Sequence, residues 1–153
     1  MSHRVPSVHK LRVYVAGRFE SAETIEAVAR KLEHGGCEIT HEWYVFSDVT
    51  QSVCAQEDLR GVATADVVLF LMTDPTHSYR GTCAELGAAL ALRKPVVMIT
   101  DLNARRTGCA YAGCVFWHHP DIVKVASVAE GIEKVLEFSH ASNCKNTSSA
   151  CSS

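Results

Sequence analysis

Three features of the sequence predict an α/β fold with a parallel sheet between layers of helices. The first is a pair of unbroken apolar runs, Asp66 to Met72 and Pro95 to Ile99, each the length of a strand buried on both faces. The second is the stretch between them, Tyr79 to Leu92. It is built mostly from Ala, Gly and Leu and reads as a helix whose backbone lies close to the sheet. The third is the alternation of strand-like and helix-like segments along the chain, which implies right-handed crossovers between parallel strands.

The elements follow in order. Met1 to Lys10 is polar, contains a Pro and is expected to be loose. Leu11 to Gly17 is the first strand; Gly17 allows a tight exit that leaves Arg18 and Phe19 at the strand's carboxyl end. Ser21 is a plausible N-cap for a helix in which Ile25, Val28, Ala29 and Leu32 fall at i, i+3, i+4 and i+7. Gly35-Gly36 ends it. Cys37 to Tyr44 alternates, as a strand near the sheet edge does. Its aromatic end, Trp43, Tyr44 and Phe46, either caps the core or forms a stacking wall for a planar ligand.

Gln51 to Ala65 reads as the second helix, with Val53, Leu59, Val62 and Ala63 facing inward and the acidic pair Glu57-Asp58 on a solvated face. The third strand, Asp66 to Met72, leads into Thr73-Asp74-Pro75 and a polar loop through Arg80. The Ala-rich helix ends near Arg93, and the fourth strand is Pro95 to Ile99. Asp101 to Gly113, rich in Arg, Asn and Gly, is expected to be a mobile lid or a partner contact. Val115-Phe116-Trp117 is the expected fifth strand, and Ser127 to Phe138 a final helix with Val128, Ile132, Val135 and Leu136 on one face. The Ser- and Cys-rich segment 139–153 is expected to be disordered. One domain over residues 11–138 results. The flavodoxin-like strand order 2-1-3-4-5 fits its length and opens a crevice between the carboxyl ends of strands one and three.

Composition narrows the function. A chain of 153 residues with 47% hydrophobic and 21% charged residues is globular. A formal charge of -2 gives no electrostatic case for a nucleic-acid partner. No apolar run approaches the ~20 residues that span a bilayer, and the N-terminus has no signal-peptide core. A cytoplasmic protein is expected. The seven Cys are odd in number and irregular in spacing, and read as free or buried thiols. Cys109-x4-Cys114 with His118 and His119 does not complete a zinc set, so no metal site is expected. With no GxGxxG after the first strand and no P-loop, no dinucleotide cofactor or ATPase site is expected either. The expected partner is a small molecule.

Arg18, the Asp74 loop and Glu85 surround the predicted crevice. Glu85 has two readings. Thr82-x-x-Glu85 is a capping box, in which the two side chains satisfy each other's backbone amides. Alternatively Glu85 is a reactive carboxylate, kept ionised by the positive end of the helix dipole.

Four segments taken together resemble the nucleoside 2-deoxyribosyltransferase family. They are Val13 to Phe19, Asp58-Leu59-Arg60-Gly61-Val62, Ala65 to Phe70, and Gly81-Thr82-Cys83-Ala84-Glu85-Leu86-Gly87 with Lys94-Pro95-Val96. The resemblance implies that Glu85 attacks the anomeric carbon of a 2'-deoxyribonucleoside and forms a covalent deoxyribosyl-enzyme. A second base then takes the sugar (transfer), or water does (hydrolysis). It implies that Tyr14 orients the nucleophile and that Asp58 helps to protonate the base. Gly17, Arg18, Phe19, Trp43, Asp74, Arg80, Gly81 and Thr82 are the expected substrate-binding residues. The resemblance further implies a homo-oligomer.

Two departures stand out. Transferases of the family carry an Asp six residues before the nucleophile, where this chain has Tyr79. They also complete the site with a neighbour's ordered C-terminus, whereas this tail is Ser- and Cys-rich. Arg18 and Arg80, with the amides of Gly81 and Thr82, instead fit an anionic group such as a 5'-phosphate. The related 2'-deoxynucleoside 5'-phosphate N-hydrolases use the same scaffold and Glu. The principal reading is transfer between bases, the alternative is monophosphate hydrolysis, and a second alternative is a non-catalytic nucleotide-binding module.

Overall fold

A computed structural model describes residues 9–45 and 50–148. A single five-stranded parallel sheet has the order β2-β1-β3-β4-β5. The strands are β1 (Arg12–Ala16), β2 (Glu38–Ile39), β3 (Val67–Met72), β4 (Val96–Thr100) and β5 (Ile122–Val125). The helices are α1 (Ala22–His34), α2 (Gln51–Thr64), α3 (Arg80–Ala91), the single turn α4 (Ala104–Thr107) and α5 (Val128–Ser148). This is the predicted three-layer sandwich.

Side-chain alternation along the strands builds two cores. Val13, Val15, Leu69, Leu71, Val97 and Ile99 pack on one face against Ile25, Val28 and Leu32 of α1 and Val135 of α5. Tyr14, Ala16, Val68, Phe70, Met72, Val96 and Met98 pack on the other against Val62 of α2 and Leu86 and Ala89 of α3. β3 is buried at every position, as its unbroken apolar run requires. Lys94 joins the second layer to the sheet: its ammonium donates to the carbonyls of Ala63 and Ala65 at 2.7 and 2.8 Å, at the carboxyl end of α2.

Several elements differ from expectation. β2 pairs only over Glu38–Ile39, because Thr40 turns its hydroxyl to the carbonyl of Gly61 at 2.8 Å and the chain leaves the sheet. Phe46 lies outside the described residues, as do 1–8 and 149–153. Val115-Phe116-Trp117 is not a strand but part of a 3-10 turn, Val115–His118, in which Trp117 alone is buried. The edge strand is Ile122–Val125, whose buried ends and exposed middle gave no apolar run to read.

The loop after β4 is not an open lid. It folds into α4 and a 3-10 turn, Ala110–Gly113, pinned by the fully buried Tyr111. α5 continues past Phe138 to Ser148, since no Gly or Pro follows Gly131 to break it. Among the described residues no helix is long and apolar enough to cross a membrane. Cys37, Cys54, Cys83, Cys109 and Cys114 are free thiols.

Candidate active site

The crevice opens beyond the carboxyl ends of β1 and β3, where strand order reverses. Its volume is about 600 Å³, within the range of small-molecule sites. Gly17, Arg18, Phe19, Trp43, Asp58, Arg80, Gly81, Thr82 and Glu85 all line it. Tyr14 stands behind this lining, fully buried, with its hydroxyl against Glu85. Asp74 reaches the crevice only through Arg18, whose guanidinium it contacts at 2.6 Å.

Tyr14 occupies this place because alternation along β1 turns it toward the layer of α2 and α3. Its hydroxyl lies between the two helices, 2.6 Å from Glu85 Oε1 and 3.3 Å from Asp58 Oδ1. A phenol has one hydrogen to donate. The shorter contact takes it, so Glu85 is the carboxylate that Tyr14 holds. Burial, with both carboxylates adding to it, raises the Tyr14 pKa, so the phenol stays protonated.

Glu85 is not a helix cap. α3 begins at Arg80 with Tyr79 as its N-cap residue, one turn earlier than the capping box requires. The Thr82 hydroxyl donates instead to the carbonyl of Gly17 at 3.2 Å, which ties the start of α3 to the end of β1. Burial pushes the Glu85 carboxyl up to about 7, partly opposed by the Tyr14 hydrogen bond and reinforced by the nearby Asp58. A carboxylate with so little solvation, aimed into a crevice, is a candidate nucleophile.

Asp58 also departs from its expected solvated face. The inner side of α2 runs through Cys54, Asp58, Gly61 and Val62, while Val53, Leu59 and Ala63 are exposed. Gly61 explains the rotation. A Cβ there would stand 2.7 Å from Cδ2 of Tyr14 and 2.9 Å from Cβ of His41. Its absence lets α2 approach closely, and Asp58, one turn earlier, meets the Tyr14 hydroxyl. Burial raises the Asp58 pKa, with His41 and Tyr14 opposing.

The crevice lining also carries cationic groups. Arg18 is already engaged, by Asp74 and by Ser21 Oγ at 3.1 Å. Arg80 is exposed and makes no ion pair among the described residues. The amides of Arg80, Gly81 and Thr82, at the start of α3, have no acceptor among the described residues. The lining also carries apolar side chains: Phe19, Trp43, Val45 and Val53. Trp43 is fixed by its indole N–H, which donates to the Val15 carbonyl at 2.7 Å.

Tyr79, at the position where transferases carry an Asp, serves the backbone. It is buried, sits in the left-handed region at φ 51, and its hydroxyl accepts from the amides of Thr73 and Asp74 at 3.1 Å. It thereby fixes the loop that presents Asp74 to Arg18. His41 is a lining residue that the sequence reading passed over, because it was counted inside the second strand rather than beyond its end. Among the described residues, no group of three or more His, Cys, Asp or Glu side chains could hold a metal ion.

The chain matches the nucleoside 2-deoxyribosyltransferase family model over residues 13–126. The chain belongs to the nucleoside 2-deoxyribosyltransferase family. The matched span contains Tyr14, Asp58 and Glu85. No curated protein matches the sequence. Several solved structures share the fold, among them these two. The Clostridium botulinum CMP N-glycosidase BcmB is 19% identical, with 83% of this chain and 98% of that chain covered and a TM-score of 0.57. A conserved protein from Enterococcus faecalis V583 is 15% identical, with 85% and 99% covered and a TM-score of 0.61. As a member of this transferase family, the chain is placed among enzymes of glycosidic-bond cleavage and transfer.

Proposed function

We propose that this family member cleaves the N-glycosidic bond of a 2'-deoxynucleoside 5'-monophosphate, with Glu85 as the nucleophile. The observation that carries the reading is the 2.6 Å hydrogen bond from Tyr14 to a buried Glu85 that lines the crevice. The anomeric carbon becomes cationic as the base departs. An adjacent carboxylate stabilises that charge and then captures it, as in retaining glycosidases. Asp58 gives its hydrogen to the departing base, which would otherwise leave as an anion.

Arg80 and the amides at the start of α3 favour the monophosphate over the nucleoside, because they are cationic or donor groups without partners of their own. The fold neighbour from C. botulinum is a CMP N-glycosidase, which supports the monophosphate, though CMP is a ribonucleotide and not a 2'-deoxynucleotide. The covalent sugar-enzyme then passes to water. The apolar side chains of Phe19 and Trp43 also suit an acceptor base, so transfer to a second base is the competing fate of the same intermediate.

The test is incubation with each 2'-deoxynucleoside and each 5'-monophosphate, with and without an acceptor base, followed by chromatography of the free base. Base release from monophosphates in water is the expected result, and Arg80→Ala should raise KM for the monophosphate at least tenfold, with little effect on any nucleoside. Release only in the presence of an acceptor would establish transfer. Binding without any release would leave a nucleotide-binding module.

A further inference from the structure

We infer that His41 is a positioning residue for Asp58, holding the carboxyl group that protonates the departing base; the inference rests on the N-glycosidase reading above. His41 Nε2 lies 3.4 Å from Asp58 Oδ1, the same oxygen that faces the Tyr14 hydroxyl. Asp58 Oδ2 has no hydrogen-bond partner among the described residues, and Asp58 lines the crevice. Since Glu85 takes the Tyr14 hydrogen, His41 is the donor that faces Oδ1, while Oδ2 is left for the substrate.

The contact is built rather than incidental. The Thr40 hydroxyl donates to the Gly61 carbonyl, which ties the chain just before His41 to α2. Gly61 lacks the Cβ that would stand 2.9 Å from the His41 Cβ. Two other carboxylates of the crevice lining have cationic partners of their own: Glu42 contacts Arg30 at 2.8 Å, and Glu57 contacts Arg60 at 3.0 Å. Asp58 is the carboxylate that His41 contacts.

The step balances as follows. The hydrogen on Asp58 Oδ2 moves to a nitrogen of the leaving base. The electron pair of the C1'–N bond leaves with the base, and a lone pair of Glu85 forms the new C1'–O bond. Asp58 ends as a carboxylate. An N–H from His41 to Oδ1 is weak while Asp58 is neutral and becomes charge-assisted as the proton departs. It therefore stabilises the transition state more than the ground state. The 3.4 Å separation is long for such a bond and would shorten in the substrate complex.

The experiment compares two substrates in wild type, His41→Ala and His41→Gln: 2'-deoxyguanosine 5'-monophosphate and its 7-methyl derivative. The methylated base is already cationic and leaves without taking up a proton. For an enzyme that accepts only pyrimidines, the pair is 2'-deoxyuridine 5'-monophosphate and its 5-nitro derivative, whose base is a far better leaving group. His41→Ala should lower kcat by ~10–100-fold on the ordinary base and by less than ~3-fold on the activated one. Because the criterion is a ratio measured in one sample, partial unfolding of a variant does not affect it. Equal losses on both substrates, or no loss on the ordinary one, would overturn the inference. His41→Gln, which keeps an N–H donor, should fall between wild type and His41→Ala; a loss as large as that of His41→Ala would equally overturn it. A wild-type enzyme that releases base from neither substrate would instead overturn the underlying reading, and this inference with it.

Discussion

Tyr14 donates its hydroxyl hydrogen to Glu85 across 2.6 Å, between residues 71 positions apart in the chain. A strand side chain buried in the core thereby sets the orientation and charge of a helix side chain at the crevice. The bond favours the ionised carboxylate, against the burial that pushes Glu85 up to about 7. Tyr14→Phe should therefore raise the Glu85 pKa further. Activity should fall by ~10²-fold and its dependence on Glu85 ionisation should move to higher pH, read from the pH profile of kcat/KM. An unchanged profile would mean that Tyr14 only fills space.

The two carboxylates on either side of Tyr14 predict a specific pH dependence. The productive state has Glu85 ionised and Asp58 protonated, so the pair carries one hydrogen. At low pH both are protonated and there is no nucleophile. Above about 7 both are ionised and there is no acid. Base release from an ordinary substrate should pass through a maximum and decline on both sides, with Glu85 setting one limb at about 7. With a 7-methylguanine leaving group the acid is dispensable, and the rate should rise through about pH 7 to a plateau. Identical profiles for the two substrates would remove Asp58 from the mechanism.

Much of this was legible in the sequence, for physical reasons. Unbroken apolar runs of five and six residues are too short for a helix of ordinary length and fit strands buried on both faces, so β3, β4 and the switch point followed. The motif around Glu85 marked the helix, and the resemblance to the transferase family, not periodicity, implied Tyr14 and Asp58 beside it. What was missed depended on contacts distant in sequence. The capping box was locally plausible, but the Thr82 hydroxyl found Gly17 and Glu85 found Tyr14. The inner face of α2 was misread because Leu59 and Val53 outrank Gly61 in hydrophobicity, yet the missing side chain at Gly61 is what lets the helix approach. His41 was hidden by a strand that ends sooner than its alternation implied.

That close approach is itself testable. Gly61→Ala places a methyl group against the Tyr14 ring and the His41 Cβ, neither of which can move without disturbing the site. Destabilisation of ~1–3 kcal/mol is expected from denaturant melts, with loss of most activity in the protein that remains folded. A variant of wild-type stability and activity would show that α2 packs differently.

A catalytic carboxylate kept in a poorly solvated place costs stability. Below the unfolded pKa Glu85 is neutral in both states and the penalty is absent. As pH rises through about 7 it ionises in the folded protein and stability is lost. Glu85→Gln keeps a hydrogen-bond acceptor for Tyr14 without the charge. It should melt above wild type at pH 8, and the gap should close toward pH 4, as measured by calorimetry. A variant less stable than wild type at pH 8 would show that the charge is better solvated than its burial implies.

The most direct test of the central claim is base release by Glu85→Ala, measured alongside its far-UV circular dichroism. The account predicts a fall of ~10³-fold or more in an intact fold. Substantial base release by a folded Glu85→Ala protein would contradict it, because the sugar would then reach its acceptor without the carboxylate that Tyr14 holds.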